Sequence, residues 1–221
     1  MADNISVKDA TGATQTVRMK DVSGVKVSLN ILSDQTGSPI INEQTAAGSI
    51  PVALPTDQAL RGRGMILASD NFTRPADTTT YAANDTVANS TVAGSVTPLT
   101  FVAARYNGGS GFITGARISK TTNVTTNAQF RLHIFDAAPT MASGDNAALS
   151  CSGINNWIGS IDIAVGQAFT DGAAGRAAGS SPAIMFDKSS GTNLYGILQA
   201  LAAYGPGNAE VFTVALEIEQ S

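Results

Sequence analysis

The clearest alternation of apolar and polar residues in the chain lies in residues 127–136, Asn-Ala-Gln-Phe-Arg-Leu-His-Ile-Phe-Asp. Phe130, Leu132 and Ile134 occupy every second position, and the positions between them hold a mixed set of side chains. Because successive side chains of a β-strand point to opposite faces, this pattern predicts a strand with one face on a core and a wetter second face. Residues 157–165 and 211–218 repeat the pattern, so we predict an all-β protein built from such strands.

Residues 64–221 contain about eight segments with strand patterns, separated by glycine and proline turns. The further predicted strands are residues 96–104, 111–120, 182–187, 193–203 and 211–219. Glycine-rich turns at residues 107–110 and 204–208 predict hairpins that pair the strands on either side. We expect loops with short edge strands at residues 70–91, a short helix at 146–150 and a loop at 170–180. The long connections favour a jelly-roll-like two-sheet β-sandwich over an up-and-down barrel.

Residues 1–63 differ from residues 64–221 in being polar and regularly interrupted by glycine. Ordering a residue costs roughly 1–2 kcal/mol of backbone entropy, and this segment has too few large apolar groups to form a core of its own. We therefore predict an extended N-terminal arm, either a small meander of hairpins or a strap, that attaches to neighbouring subunits. Its candidate partner-binding residues are the apolar positions of its strand-like runs: Val25, Val27, Leu29, Ile31, Ile50, Val52 and Leu54.

The composition of the chain points to a surface that is easily covered by another protein. Only 14% of the 221 residues are charged, whereas 43% are hydrophobic, and surfaces of proteins that stay alone in solution usually carry more charge. The net charge is −4. Residues 1–63 hold six basic and six acidic side chains, so the excess of acid lies in residues 64–221. An acidic domain argues against binding to nucleic acid through a basic surface.

The chain offers few groups for catalysis or metal binding. Its single histidine, His133, and single cysteine, Cys151, cannot supply a zinc site. We predict that His133 is a sheet-face histidine with a structural hydrogen bond, that Cys151 is a small, partly buried thiol, and that Trp157 fills the core. Loop aspartates could bind calcium, but we favour ordinary turn residues; they are Asp70, Asp77, Asp85, Asp145 and Asp171. We expect no enzyme, no cofactor and no metal.

Two sequence segments resemble structural proteins of tailed bacteriophages. One is residues 72–90, Phe-Thr-Arg-Pro-Ala-Asp-Thr-Thr-Thr-Tyr-Ala-Ala-Asn-Asp and onward, and the other comprises Leu194-Tyr195-Gly196 with residues 211–214. Residues 50–58, Ile-Pro-Val-Ala-Leu-Pro-Thr-Asp-Gln, are similar to linker and arm sequences of virion proteins. The resemblance implies a non-enzymatic β-sandwich protein of the virus particle.

Within that class, the resemblance favours a head decoration, or cement, protein that binds across neighbouring copies of the major capsid protein. Such proteins are often trimers with extended arms. We therefore expect a homo-oligomer, with a trimer favoured, on the capsid surface of the virion, made in the host cytoplasm. The start of the chain lacks the pattern of a signal peptide, and no apolar run is long enough to cross a membrane.

Two alternatives remain open. The first is a tail-fibre or baseplate adhesin whose loops, such as residues 137–156, bind a host glycan. The second is a carbohydrate-active enzyme, because a glycosidase needs only two facing carboxylates.

Overall fold

The computed structural model describes residues 4–8, 14–22, 25–28, 64–177 and 183–221. The chain divides into two compact units, Met1–Ala59 and Leu60–Ser221. The described part of the first unit is an antiparallel sheet in the order β1-β2-β3, formed by Asn4–Lys8, Thr14–Val22 and Val25–Ser28. These strands follow the meander alternative, in which each strand pairs with the next along the chain.

The second unit is made of strands. They are β4 (Gly64–Thr73), β5 (Thr86–Val87), β6 (Leu99–Val102), β7 (Ser110–Lys120), β8 (Gln129–Phe135), β9 (Thr140–Met141), β10 (Cys151–Ser152), β11 (Trp157–Ala164), β12 (Gln167–Phe169), β13 (Gly172–Arg176), β14 (Ile184–Asp187), β15 (Asn193–Ala200) and β16 (Val211–Gln220). Ala93–Ser95 and Ile154–Asn156 form short 3₁₀ turns. The described residues contain no α-helix and no helix long and apolar enough to cross a membrane.

Two antiparallel sheets pack together in this unit. The large sheet has the order β12-β13-β7-β16-β4, with β14 also paired to β7, and the small sheet has the order β11-β8-β15-β5, with β6 also paired to β15. Strands β9 and β10 form a separate ribbon. The prediction of an all-β two-sheet sandwich is therefore confirmed. Half of the connections between consecutive strands of this unit cross from one sheet to the other, and the jelly-roll topology stays a prediction.

The predicted core strand, β8, lies in the interior of the small sheet. Phe130, Leu132 and Ile134 are fully buried, as their alternation predicted. Phe130 meets Phe212 of the large sheet edge to face, with ring centroids 5.4 Å apart, an arrangement that aromatic pairs favour. The two sheets thus share one hydrophobic core between them.

Both predicted hairpins are wrong. Strand β6 pairs with β15 rather than with β7, and β15 pairs with β8, β5 and β6 rather than with β16. The turns at residues 107–110 and 204–208 are real, but each carries the chain from one sheet to the other. Turn chemistry fixes a change of direction, whereas the partner strand is set by how the apolar faces of both sheets are covered.

Two local predictions are also wrong. The helix expected at 146–150 is absent because its backbone amides bond to another segment: Asn146 donates to the Thr86 carbonyl and Leu149 to the Asn84 carbonyl. The loop expected at 170–180 contains strand β13, which pairs with β12, and residues 178–180 of that loop lie outside the described residues. Small residues are required there, since a Cβ added at Gly175 would lie 2.1 Å from the Ala164 carbonyl oxygen.

Candidate functional site

An ion pair between Arg74 and Asp145 lies completely inside the second unit. The guanidinium donates to the Asp145 carboxylate at 3.0 Å and to the Tyr81 hydroxyl at 2.8 Å, and Tyr81 donates to Asp145 at 2.6 Å. The Ala88 amide also donates to Asp145, at 2.8 Å. Burial by itself would lower the pKa of Arg74, but its bond to Tyr81 and the charge of Asp145 raise that pKa. Arg74 is therefore charged at every ordinary pH.

A second buried ion pair, between Lys120 and Glu210, lies beside the first. The Lys120 ammonium is 3.1 Å from the Glu210 carboxylate, and the Tyr204 hydroxyl donates to both carboxylate oxygens at 2.9 and 2.7 Å. Thr122 accepts from Lys120 and donates to Glu210. Burial lowers the pKa of Lys120, and the charge of Glu210 opposes that shift. The Tyr204 ring stacks on the Tyr81 ring, with centroids 6.3 Å apart, which joins the two pairs.

These two pairs, which we call the buried ionic cluster, hold the long connections of the sandwich together. The backbone amide of Arg74 donates to the Glu210 carbonyl and that of Tyr81 to the Tyr204 carbonyl. Among the described residues, no buried side-chain polar atom lacks a hydrogen-bond partner. Every polar group of the cluster is hydrogen-bonded or ion-paired to another group, so the role of the cluster is to stabilise the fold.

The outer face of the large sheet is apolar at one end. Met65, Phe112 and Met185 lie in one row across β4, β7 and β14, with Glu219 of β16 between them. Met65 and Met185 are 67% and 65% exposed, and Leu67 in the next row is also exposed. Single exposed apolar residues are common, but several adjacent ones in a sheet face indicate a surface that another protein covers.

The middle of this face carries two positive charges and one negative charge that are bonded to one another. Arg117 and Arg176 are directly opposite on β7 and β13, a placement that would be repulsive by itself. Glu217 lies between them and accepts from Arg117 at 2.6 Å and from Arg176 at 2.9 and 2.5 Å. The hydrogen bonds from Arg176 and Arg117 lower the pKa of Glu217 to about 2.

Small residues make the other end of this face concave. A shallow depression of about 500 Å³ lies over β7, β13 and β16, and it is lined by Ser119, Gln167, Ala174, Gly175, Thr213 and Ala215, together with the two arginines. Ile118 also lines it. Apart from the arginines its side chains are uncharged, and all but Ile118 and Gln167 are short. The outer face of the large sheet therefore has an apolar end, a charged middle in which one glutamate bridges two arginines, and a hollow at the other end.

The outer face of the small sheet has a different character. Trp157, Phe135 and Tyr195 form one row across β11, β8 and β15. Trp157 is 46% exposed, so the prediction that it fills the core is wrong. Its indole faces outward, at the point where the pairing of β11 with β8 is irregular between Trp157 and Gly159. A depression of about 450 Å³ lies beside it, lined by His133, Phe135, Leu149, Ser150, Cys151, Ile154 and Trp157.

Polar side chains occupy the rows beyond this aromatic row. His133 contacts the Gln199 side chain through Nε2 at 3.1 Å, and Arg131 donates to both carboxylate oxygens of Asp162 at 2.6 and 2.8 Å. Burial lowers the pKa of His133, an effect that the Gln199 hydrogen bond opposes, so the imidazole is neutral at pH 7. The prediction of a sheet-face histidine with a structural hydrogen bond is confirmed.

The predicted arm residues fall only partly within the described chain. Val25 and Val27 lie in β3, whereas Leu29, Ile31, Ile50, Val52 and Leu54 lie outside the described residues. The structure therefore brings none of these residues to a site, and their role in partner binding stays a prediction.

The remaining candidate residues have clear positions. Cys151 is a partly buried free thiol, as predicted. Asp145 does lie in a turn, but its buried ion pair with Arg74 makes it more than a turn residue. In the described part of the chain, no three His, Cys, Asp or Glu side chains are grouped to hold a metal ion.

Sequence reasoning missed both outer faces. The face of the large sheet depends on strands that are distant in the sequence, and no short motif marks it. The exposed Trp157 carried one signal, since it opens a strand directly after the glycine and asparagines of residues 153–156. Comparison with known proteins adds no identification, because no protein-family model matches the chain and a search of curated proteins finds no match.

Proposed function

We propose that this protein is a non-enzymatic structural protein of a bacteriophage virion, a decoration protein that stabilises the head by binding across neighbouring copies of the major capsid protein. In this proposal residues 1–63 attach to the shell, and the sandwich associates with copies of itself, as a trimer in the favoured form. The proposal rests on the resemblance of residues 72–90 and 211–214 to phage structural proteins and on the character of one sheet face.

The outer face of the large sheet is the observation that carries the proposal. Met65, Leu67 and Met185 give it apolar contact area, which gains free energy when it is covered. A protein that bound nothing there would expose these side chains to water permanently. Interfaces between copies of one protein are more apolar than ordinary surface, and this face matches that description.

The arrangement of charge supports the same proposal. Many basic side chains of the second unit are ion-paired within it, among them Arg74, Arg117, Lys120, Arg131, Arg176 and Lys188. A cation already paired with a carboxylate is a poor partner for a nucleic-acid phosphate, which is bound chiefly by available Lys and Arg. This pairing favours a protein partner.

The shell attachment is tested with particles that lack the protein. Purified full-length protein and a chain without residues 1–63 are mixed with such particles, and the bound fraction is measured by sedimentation. We expect the full chain to bind and the shortened chain to remain folded but unbound. Attachment of the shortened chain would contradict the role given to the arm.

Self-association is tested separately with single substitutions on the exposed apolar row. Met65→Asp and Met185→Asp place a charge where the proposed interface is apolar, so light scattering should show a shift from the oligomer to the monomer. Val102→Asp is the matched control, since Val102 is 62% exposed in β6 of the other sheet. If all three variants behave like the wild type, the large-sheet face is not the interface.

One observation favours the second candidate, a tail-fibre or baseplate adhesin. Four residues of the connection expected to bind a host glycan line the depression beside Trp157: Leu149, Ser150, Cys151 and Ile154. Binding of the purified protein to host cells, with few copies in each particle, would favour the adhesin over the decoration protein.

A further inference from the structure

We propose that the depression beside Trp157 binds a neutral sugar ring, with the indole stacked on the apolar face of the ring. The chemical class is an uncharged hexose or N-acetylhexosamine unit of an oligosaccharide. The proposal gives a ligand to the adhesin candidate, but it does not depend on where the protein lies in a virion. It rests on the outer face of the small sheet alone.

The first argument is the exposure of a large aromatic side chain next to a concavity. Ile154 is 71% exposed and Trp157 is 46% exposed, and the depression that they line together with Leu149 measures about 450 Å³. That volume lies in the range of about 300–1,000 Å³ usual for small-molecule sites. A flat, half-exposed indole offers a sugar ring the apolar platform that its C–H face requires.

The second argument is the polar neighbourhood of the platform. In the row beside Trp157 and Phe135, Ser160 of β11 lies directly opposite His133. Gln199 contacts His133, and the Arg131–Asp162 pair occupies the next row. Sugar hydroxyls both donate and accept hydrogen bonds. His133 and Ser150 line the depression itself, and the other side chains lie in the rows beyond it. An apolar platform bordered by a few such groups is the usual build of a small-molecule site.

The third argument is the charge of the site, which selects a neutral ligand. His133 is neutral at pH 7 because burial lowers its pKa, and burial raises the pKa of the Cys151 thiol, so it is also neutral. The fixed charges nearby occur as ion pairs, Arg131 with Asp162 and Lys188 with Asp136. With no unbalanced charge among these groups, a phosphate or a uronic acid would lose hydration without an ionic partner.

The fourth argument is that the rim of the site is held in place before any ligand arrives. Ser143 bonds to Thr86 at 2.9 Å and accepts from the Ser150 amide at 3.0 Å, and Asp145 fixes the same segment through its buried pair with Arg74. Gly153, in the left-handed region at φ = 84°, precedes the 3₁₀ turn that leads into Trp157. A preformed site loses less entropy on binding.

The test uses the intact full-length protein, whose fluorescence comes from Trp157 as the only tryptophan of the chain. The protein is titrated with neutral oligomers of glucose, galactose, mannose and N-acetylglucosamine, and with polymers of sialic and uronic acids. We expect a saturable change in emission with at least one neutral oligomer. No change with any of them, or a change with the acidic polymers only, would overturn the proposal.

Calorimetry of three variants then locates the binding. Trp157→Ala should weaken it by about tenfold or more, and Trp157→Phe should weaken it less because a ring remains. Phe169→Ala is the matched control, since Phe169 is 54% exposed in β12 of the large sheet, and its affinity should equal that of the wild type. Unchanged binding by Trp157→Ala would overturn the assignment of the site.

Light scattering distinguishes a sugar site from an interface between copies. If Trp157→Ala dissociates an oligomer that Phe169→Ala leaves intact, the depression is covered by a second copy and the proposal fails. If neither variant changes the oligomer while Trp157→Ala loses sugar binding, the proposal stands. The copy number of the protein in virus particles tests the proposed location in the virion independently. The sugar-site proposal and the decoration proposal can therefore fail separately.

Discussion

Two arginine–carboxylate pairs in this protein lie in opposite surroundings: Arg131 makes two hydrogen bonds to Asp162 on the surface, and Arg74 makes one to Asp145 in the interior. Arg74 and Asp145 have no exposed side-chain surface, whereas Arg131 and Asp162 are 39% and 52% exposed. The surface pair has the shorter contact between the two ions, 2.6 Å against 3.0 Å. Burial rather than distance decides how much such a pair contributes to stability. Water screens the charges of the surface pair, whereas loss of one partner of the buried pair leaves the other buried without that counter-charge.

The comparison shows two uses of charge in a chain that has little of it. Buried pairs fasten the long connections that cross between the sheets. On the small-sheet face the exposed Arg131–Asp162 pair cancels its own charge, and on the large-sheet face Glu217 offsets one of two arginine charges. Both arrangements lower the cost of desolvating the face when a partner or ligand covers it. Both proposed binding surfaces depend on the exposed charges being paired. The rim of the Trp157 depression depends on the buried Arg74–Asp145 pair.

The largest expected effect follows from breaking the Arg74–Asp145 pair. Asp145→Ala takes the buried carboxylate from Arg74, which keeps only the partly exposed Asp77 as ionic partner, and it leaves Tyr81 and the Ala88 amide without their acceptor. The free energy of unfolding should therefore fall by about 3–5 kcal/mol. Asp162→Ala, the matched surface control, should cost less than about 1 kcal/mol. Urea denaturation of both variants measures the difference. Equal losses would contradict the distinction between the two pairs.

The second prediction concerns Glu210, whose replacement leaves Lys120 buried without a counter-charge. Glu210→Gln should lower the free energy of unfolding by about 3 kcal/mol at pH 7. Burial already lowers the pKa of Lys120 in the folded state, so the unfolded chain binds the proton more readily and stability rises with pH. The loss should therefore shrink between pH 7 and pH 10, measured by urea denaturation at each pH.

A double variant provides the control for this second prediction. Replacing Lys120 by Met together with Glu210→Gln removes both charges and should recover most of the lost stability at pH 7. Failure to recover it, together with a loss that does not change with pH, would show that packing rather than charge explains the effect.

The smallest effect is expected from Glu217 on the outer face of the large sheet. Its folded-state pKa of about 2 lies below the ordinary value of 4.5, so its contribution to stability is present above about pH 4.5 and is lost as pH falls toward 2. Glu217→Gln leaves Arg117 facing Arg176 and should cost about 1 kcal/mol at pH 7. The variant and the wild type should converge in stability near pH 2; a constant difference from pH 7 to pH 2 would contradict the assigned pKa.

The sequence predicted the fold class because alternation is a local signal. The burial of Phe130, Leu132 and Ile134 depends only on the period of a strand and on the presence of a core. Pairing of β15 with β8 depends on contacts between residues far apart in the chain, and the turn before β16 contains no information about them. The predicted hairpins failed for that reason.

The candidate sites were less predictable than the fold. Asp145 and Glu210 look like loop acids until the fold brings them to Arg74 and Lys120. Trp157 was expected inside because large aromatic residues usually are, and the irregular pairing after it cannot be read from residue type. The two outer faces exist only once distant strands are placed side by side.

The most direct test of the virion proposal is the copy number of this chain in purified virus particles, measured by quantitative mass spectrometry against the major capsid protein. We predict a number comparable with that of the major capsid protein, as decoration of the head lattice requires. A small fraction of that number would contradict decoration and favour the tail adhesin, and absence from the particle would contradict both.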